Sequence, residues 1–414
     1  MSVFKLIFLN SLVQVIGKFV TAGAALLISA LVARSLGQGG FGEFTLMTSY
    51  AGLFYMAADF GFNAVVLRQA KGEAGELTAG FRSLLGLRII YSLVLIFIAL
   101  AILSFLPYSP VLKIATIVTV LTILTQAVFN TANLIFQFKL RYDLSVIAAG
   151  VGSLLNLAII YLLVQGEINL IAVALSYVAA GLAMSAVALG FARTLVSGIT
   201  PQFEVGRWGQ VILATLPVGL TLVFNLLYFR ADVFILSFFK SAADVGVYGA
   251  AYKIFEVVLV LPVFFMNALY PYLVKSFESN RDSFRQIVRW SILGLAGVAT
   301  FGAALGIMLA PQILRLIYGD NFQDSVLPFQ ILLAAAPIYY LSSLYMWLLI
   351  LLHRQKTMAL VYGFGMMLNI ALNLYFIPQF SYIAAAVTTG ATEAVILLLT
   401  YHFSKDWKYD VSST

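Results

Sequence analysis

The sequence predicts an all-α integral membrane protein of about twelve transmembrane helices, arranged as two lobes of six. Three observations carry that prediction. Of 414 residues, 62% are hydrophobic and only 10% charged, with a mean hydropathy of +1.00, whereas a soluble domain carries roughly 25% charged residues. Apolar runs long enough to cross a hydrocarbon core of about 30 Å, which takes about 20 residues of helix, recur along the whole chain. The basic residues gather on alternate connections between those runs. Within lipid only helices and closed barrels satisfy their own backbone hydrogen bonds, and runs of this length are helices.

In order, the predicted spans are 6–33, 41–66, 84–106, 112–137, 144–164, 169–192, 209–238, 245–273, 289–310, 326–352, 357–377 and 382–403. The first follows Met1 to Lys5 with no small-residue cleavage site, so it reads as a span and not as a cleaved signal peptide. Lys and Arg cluster after the even-numbered spans and at the two ends. Seventeen lie there, against four (Arg34, Lys113, Lys240 and Arg315) on the opposite connections. The positive-inside rule then puts both termini in the cytoplasm. The longest opposite connection, around Tyr318-Gly-Asp-Asn321, is too short for a folded domain. Pro217 and Pro262 are expected to kink the seventh and eighth spans. Gly302 and Gly306, spaced as G-x-x-x-G, are expected to mark close helix packing in the ninth.

The same composition excludes several chemistries. With no cysteine there is no disulfide or thiolate site, and two histidines leave no room for a His metal cluster. No metal or other cofactor is expected. The net charge of +7 is explained by the cytoplasmic connections, so nucleic acid is not an expected partner.

Polar, Gly and Pro positions repeat between the halves. Phe41-Gly-Glu-Phe44 matches Val245-Gly-Val-Tyr248, and at the same offset Asn63-Ala64 matches Asn267-Ala268, Lys71 matches Lys275 and Pro107 matches Pro311. After a short insertion, Gly152-Ser-Leu-Leu-Asn156 matches Gly365-Met-Met-Leu-Asn369. Six spans per half put the halves in the same orientation, related by an axis along the membrane normal, as in several transporter folds. The expected division is an N-terminal lobe at 1–192, a cytoplasmic linker at 193–208 containing Pro201, and a C-terminal lobe at 209–414.

Lys18, Ala33-Arg-Ser-Leu-Gly37, Phe41-Gly-Glu-Phe44, Asp59-Phe-Gly-Phe-Asn63 and Arg68 resemble the start of the polysaccharide, or O-antigen, flippases (Wzx-type). These belong to the multidrug/oligosaccharidyl-lipid/polysaccharide (MOP) exporter superfamily. Asn369-Ile-Ala-Leu-Asn373, Pro378, Ala384-Ala-Ala386, Thr389 and Glu393 resemble the family's final helix pair, so the likeness spans the chain. One departure is the family's Gly-rich turn after Pro378, which here reads Gln379-Phe-Ser-Tyr382. The resemblance implies a V of two six-helix bundles around a cavity that opens alternately to each side, as in the multidrug (MATE) branch. It implies a bacterial inner-membrane protein that exports an oligosaccharide on an undecaprenyl diphosphate carrier. It also implies contact with membrane lipids and association with other polysaccharide assembly proteins.

Ionisable residues within spans are costly, roughly 2.5–3.5 kcal/mol each on insertion scales, and persist where they meet water or a partner. Here they are Lys18, Asp59, Arg230, Asp232, Lys253, Glu256 and Glu393. Lys18, near the midplane of the first span, is read as a cavity residue; the alternative is a structural pair with Asp59. Arg230 and Asp232, two apart on a helix, point in different directions and need separate partners. Lys253 and Glu256, three apart, share a face. Lys18, Arg230 and Lys253 are the candidate substrate-binding residues, Arg230 foremost because its planar fork matches phosphate oxygens; one structural network of Arg230, Asp232, Lys253 and Glu256 between adjacent helices is the equal alternative. Asp59, Asp232, Glu256 and Glu393 are the candidates for ion coupling, with a structural role as the alternative for Asp59. Asn130, Asn133, Gln137, Asn156, Asn369 and Asn373, with Asn10, Gln14 and Asn225, suit either a wet lining or bonds between helices. The expected function is a lipid-linked oligosaccharide flippase; the alternative is a drug or metabolite cation antiporter of the same superfamily. A membrane glycosyltransferase or polymerase usually needs a sizeable outer loop for its catalytic residues, so the chain is not read as an enzyme.

Overall fold

The computed structural model describes residues 3–69 and 74–405. The described chain is helical, in the order α1 (Val3–Asp59), α2 (Phe62–Gln69), α3 (Ala74–Phe105), α4 (Pro110–Val120), α5 (Thr122–Phe138), α6 (Tyr142–Val164) and α7 (Leu170–Leu195). It continues with α8 (Val205–Phe239), α9 (Ala242–Val258), α10 (Val260–Ser279), α11 (Arg281–Tyr318), a 3-10 turn at Asp320–Ser325, α12 (Val326–Leu351) and α13 (Gln355–Ser404). Side chains close several helix starts. Ser109, Asn169 and Asn280 accept from Leu112 N, Ala172 N and Ser283 N, and Ser241 and Asp244 form a reciprocal capping box at α9, satisfying donors that no preceding turn can reach.

Among the described residues nine segments are long and apolar enough to cross a membrane. Two of them, 48 residues in α1 and 50 in α13, would reach over 70 Å at 1.5 Å per residue, more than twice a hydrocarbon core of about 30 Å. Each is bent and makes two crossings: α1 breaks at Gly37 (φ 68°) and α13 at Ser381 (φ 52°). With α8, a helix of 35 residues, the described residues provide for twelve crossings, close to the positions the hydropathy predicts.

Breaks inside single crossings have local causes. Phe60 (φ 45°) and Gly61 (φ 74°) turn the chain from α1 into α2. Pro262 cannot donate to the carbonyl of Val258; α9 ends there and Tyr340 Oη donates to that carbonyl at 3.0 Å. Pro311 likewise frees the carbonyl of Ile307, which accepts from Gln330 Nε2 at 3.0 Å. The Pro217 side chain lies outside the described residues. Gly306 fits the packing expectation, since a Cβ there would come 2.9 Å from Leu333 of α12; Gly302 does not, having nothing within 4 Å.

The chain divides into two compact units, Met1–Leu36 with Glu43–Leu226, and Gly37–Gly42 with Leu227–Thr414. The first packs around Phe62, Leu77, Phe81, Ile135 and Phe136; the second around Met266, Leu273, Phe284, Val288, Leu344 and Leu348. Within the second unit two glycines cross at backbone distance. A Cβ on Gly42 would lie 1.7 Å from the Ala242 carbonyl oxygen, and one on Gly246 would lie 2.0 Å from that of Gln38. The contacts are reciprocal, since each glycine approaches the residue four before the other. Phe41 packs beside this crossing on Tyr318 and Phe322, with centroids 5.6 and 5.7 Å away.

Because the Gly42 and Gly246 neighbours are backbone atoms, they cannot rotate away. Gly42→Ala and Gly246→Ala should each lower thermal stability by about 1–3 kcal/mol through overpacking. Gly39→Ala, with nothing within 4 Å, should leave the unfolding midpoint of the purified protein unchanged or raised. Ser381 holds a left-handed backbone in the stretch after Pro378, and its Oγ donates to Asp244 Oδ1 at 2.7 Å. Ser381→Ala should cost about 1 kcal/mol by losing that bond while keeping the strain. Ser381→Gly loses the same bond but relieves the strain and should stay closer to the parent in the same melting assay.

Candidate functional site

The intramembrane charges of the second unit form two separate constellations on α8, α9 and α13. In the first, Glu256 is shared: Arg230 Nη2 donates to one carboxylate oxygen at 2.5 Å, and Lys253 Nζ donates to the other at 3.1 Å. The Arg230 guanidinium also lies 5.7 Å from the centroid of the Tyr252 ring. Two cations and one carboxylate leave a net charge of +1. The side chains of Arg230, Lys253 and Glu256 are 25, 35 and 27% exposed, so the triad retains an open face within helices that cross lipid. Hydrocarbon at that face would be prohibitively costly, and water or a polar ligand must meet it.

The second constellation is closed. Asp232 is 2% exposed and accepts from the Tyr248 hydroxyl and from its neighbour's amide, Val233 N, at 2.8 Å. Thr389 Oγ1 lies 3.5 Å from it. Glu393, 3% exposed, accepts from Tyr228 Oη at 2.6 Å. Neither carboxylate has a cation in ion-pair contact among the described residues. Arg230 and Asp232 take separate partners, as their spacing requires, and Asp232 stands outside the Arg230–Glu256–Lys253 triad. Next to these lies a buried amide chain in α13, where Asn373 Nδ2 donates to Asn369 Oδ1 at 2.8 Å and Thr388 Oγ1 donates to Asn373 Oδ1 at 2.5 Å. Asn156 similarly accepts from Ser176 Oγ at 2.8 Å, joining α6 to α7. These three Asn residues bind helices together. A cavity of about 680 Å³ opens at the Ser381 break, lined by Phe376, Phe380, Tyr382 and Asp244; it is chiefly apolar and none of the candidate residues lines it.

In the first unit the decisive residue is Arg88, which the pattern of connections places among the cytoplasmic basic residues. It is 0% exposed, inside α3. Its Nη2 donates to Asp59 Oδ1 at 3.1 Å and to the Asp59 carbonyl at 3.3 Å, and its Nη1 to Thr131 Oγ1 at 3.4 Å. A cation at the C-terminal end of α1 meets carbonyls that have no further turn to bond. Asn130 Nδ2 also donates to Asp59 Oδ1, at 3.3 Å, and Asn63 Nδ2 donates to the Asn130 carbonyl at 2.9 Å. Asp59 thus pairs with Arg88 and not with Lys18. Lys18 is exposed on α1 with no ion pair among the described residues, one residue from Gly17, where a Cβ would meet Val146 at 2.6 Å. Asn10 and Asn225 have side chains outside the described residues. The clue to Arg88 was present in the sequence: a carboxylate at Asp59 with no near cation on its own span requires one from another helix.

The ion pair is asymmetric, with Asp59 43% exposed and Arg88 not at all. Asp59→Ala strands a buried guanidinium that cannot shed its proton and should destabilise by about 3–5 kcal/mol. Arg88→Met leaves a carboxylate that water can reach and should cost clearly less. Membrane abundance and thermal unfolding of the two variants check that order; equal losses would contradict it.

Comparisons with known proteins agree with this architecture. The profile of a family described as polysaccharide biosynthesis protein matches residues 7–277, and that of the MatE family matches 217–375. No curated protein matches the sequence. Among solved structures, an inward-facing multidrug resistance MATE family transporter of the MOP superfamily superposes with a TM-score of 0.77 at 14% identity, over 97% of this chain and 100% of that one. The lipid II flippase MurJ, in an inward closed conformation, gives 0.75 at 14% identity, over 96% and 87%. The Vibrio cholerae MATE transporter VcmN, as a mutant, gives 0.65 at 14% identity, over 97% of this chain and 96% of its own. At such identities the likeness is one of fold, and the fold is that of the MATE and MurJ transporters. The sequence profile goes further: covering well over half of the residues, it makes this multi-pass membrane protein a member of the polysaccharide biosynthesis protein family.

Proposed function

We propose that the chain is a flippase that carries an undecaprenyl-diphosphate-linked oligosaccharide across the bacterial inner membrane by alternating access, with both termini in the cytoplasm. The observation that carries the reading is the half-open cationic triad in a member of a polysaccharide biosynthesis family. A diphosphate needs cations that are held in place yet reachable. Glu256 holds Arg230 and Lys253 side by side, and the net charge of +1 attracts an anion. Arg230 offers a fork for two phosphate oxygens, Lys253 a point charge, and Lys18 a further exposed ammonium. Asp232 and Glu393, buried among hydroxyls without a cation, are the carboxylates suited to carry a coupling proton or sodium ion. Asp59 and Glu256 are already engaged by Arg88 and by the triad, and we assign them first to holding those cations. No covalent chemistry is required of any of these residues, and the reading is not enzymatic.

The MatE profile over residues 217–375 supports a second reading, a drug or metabolite cation antiporter. Deleting the gene separates the two. The flippase reading expects loss of surface polysaccharide and accumulation of the carrier-linked repeat unit on the cytoplasmic leaflet. Unchanged surface glycan with raised drug sensitivity would establish the antiporter instead. In the complemented strain Arg230→Ala should lower export about tenfold or more, the worth of a charge-assisted contact of roughly 1.5–3 kcal/mol, at normal protein abundance. Loss of the protein itself would make Arg230 structural.

A further inference from the structure

The first unit carries a polar face that the cationic triad does not explain. On α5, Gln126, Asn130 and Asn133 follow at spacings of four and three, the repeat of one helix face. All three are half-buried. Gln126 Nε2 donates to Asn130 Oδ1 at 3.1 Å, and Asn130 in turn donates to Asp59. Such a face cannot lie against hydrocarbon, where an unmade hydrogen bond costs several kcal/mol. The lipid-facing surface of the same unit looks different: on α3 it is Leu93, Val94 and Phe97, each about half exposed or more. The α5 face is therefore on the watered side.

Two properties define what it can bind. Its charge is zero, because Arg88 sits wholly buried against Asp59 and cancels it; neither a free cation nor a phosphate gains net attraction there. What it can offer a ligand is a carboxylate oxygen and amides. Asp59 is 43% exposed and its Oδ2 has no donor among the described residues, while the half-buried amides of Gln126 and Asn133 each combine an acceptor with a donor. A neutral surface of this kind asks for a neutral ligand rich in hydroxyls, which both donate and accept. We infer that the Asp59–Asn63–Gln126–Asn130–Asn133 face is a binding subsite for the uncharged hydroxyl groups of a carbohydrate, separate from the cationic triad. The inference rests on the proposed carrier-linked oligosaccharide as cargo and assigns the sugar part its own surface.

The chain contains no cysteine, so single-cysteine variants of the full-length protein in lipid nanodiscs report on one position at a time. Gln126→Cys is compared with Val94→Cys on the lipid face, using a charged, water-soluble methanethiosulfonate. Gln126→Cys should label at least about tenfold faster, since only a watered thiol ionises to the reactive thiolate. Undecaprenyl diphosphate bearing a neutral tetrasaccharide, at about ten times its Kd, should then slow that labelling about tenfold by occupancy; undecaprenyl diphosphate without sugar should not. Labelling no faster than at Val94→Cys overturns the subsite whatever the cargo. Equal protection by the two lipids overturns it also, because the face would then serve the carrier. Lys253→Cys distinguishes the remaining failures. Protection there by both lipids with none at Gln126→Cys removes the subsite and leaves the flippase reading intact, while protection at neither position removes both.

Discussion

A charge placed among membrane helices must be answered by a partner or by water, and most of what is specific in this chain follows from how each one is answered. Arg88 is the extreme case. Wholly buried, it holds the Asp59 carboxylate, the last carbonyl of α1 and the Thr131 hydroxyl at once. That fixes where α1 stops, and the Phe60–Gly61 turn into α2 follows from it. A buried ion pair adds little net stability over an apolar replacement, but it leaves few alternatives for the geometry around it. Asn130 and Asn63 are organised by that same carboxylate.

The second unit answers its charges in two ways. Glu256 is divided between Arg230 and Lys253 and remains partly open, whereas Asp232 and Glu393 are shut among hydroxyls. The separation is set by helix geometry: residues 230 and 232 of α8 diverge, so one meets α9 at Glu256 and the other meets Tyr248 and Thr389. Backbone breaks follow the same logic of satisfaction. Carbonyls freed by Pro262 and Pro311 receive Tyr340 and Gln330, so a kink costs no orphaned acceptor.

The spans were legible from the sequence because lipid imposes one simple rule, a length of apolar chain, and nine segments of the described residues obey it. What hydropathy conveys is where a span runs, not which neighbour a side chain meets. Arg88 lies near the start of an apolar run and counts naturally with the connections, yet α3 begins at Ala74 and carries it into the interior. Asp59 and Glu256 were visible as candidates, but their partners lie on other helices, and Lys18 near Asp59 in span order proved a poor guide. Gln126 continues the spacing of Asn130 and Asn133, but polar residues at single positions say little, and their common face emerges only when α5 is placed beside the end of α1. The left-handed Ser381 had a signal of its own, as the one residue pattern in the final helix pair that departs from the resembled family's glycine-rich turn.

The two units answer their charges differently. One offers cations with their carboxylate already spent; the other offers acceptors with their charge already cancelled. A small hydrophobic cation would find its natural partner in an unpaired carboxylate, and the two partly exposed carboxylates of the predicted spans, Asp59 and Glu256, are both committed to arginine or lysine. Taken each by itself, the cationic triad suits an anionic head group and the neutral face suits hydroxyls. That division of labour, more than any single residue, favours a glycolipid over a cationic drug as the proposed cargo, since electrostatic complementarity selects partners chiefly by what it repels or leaves unpaired.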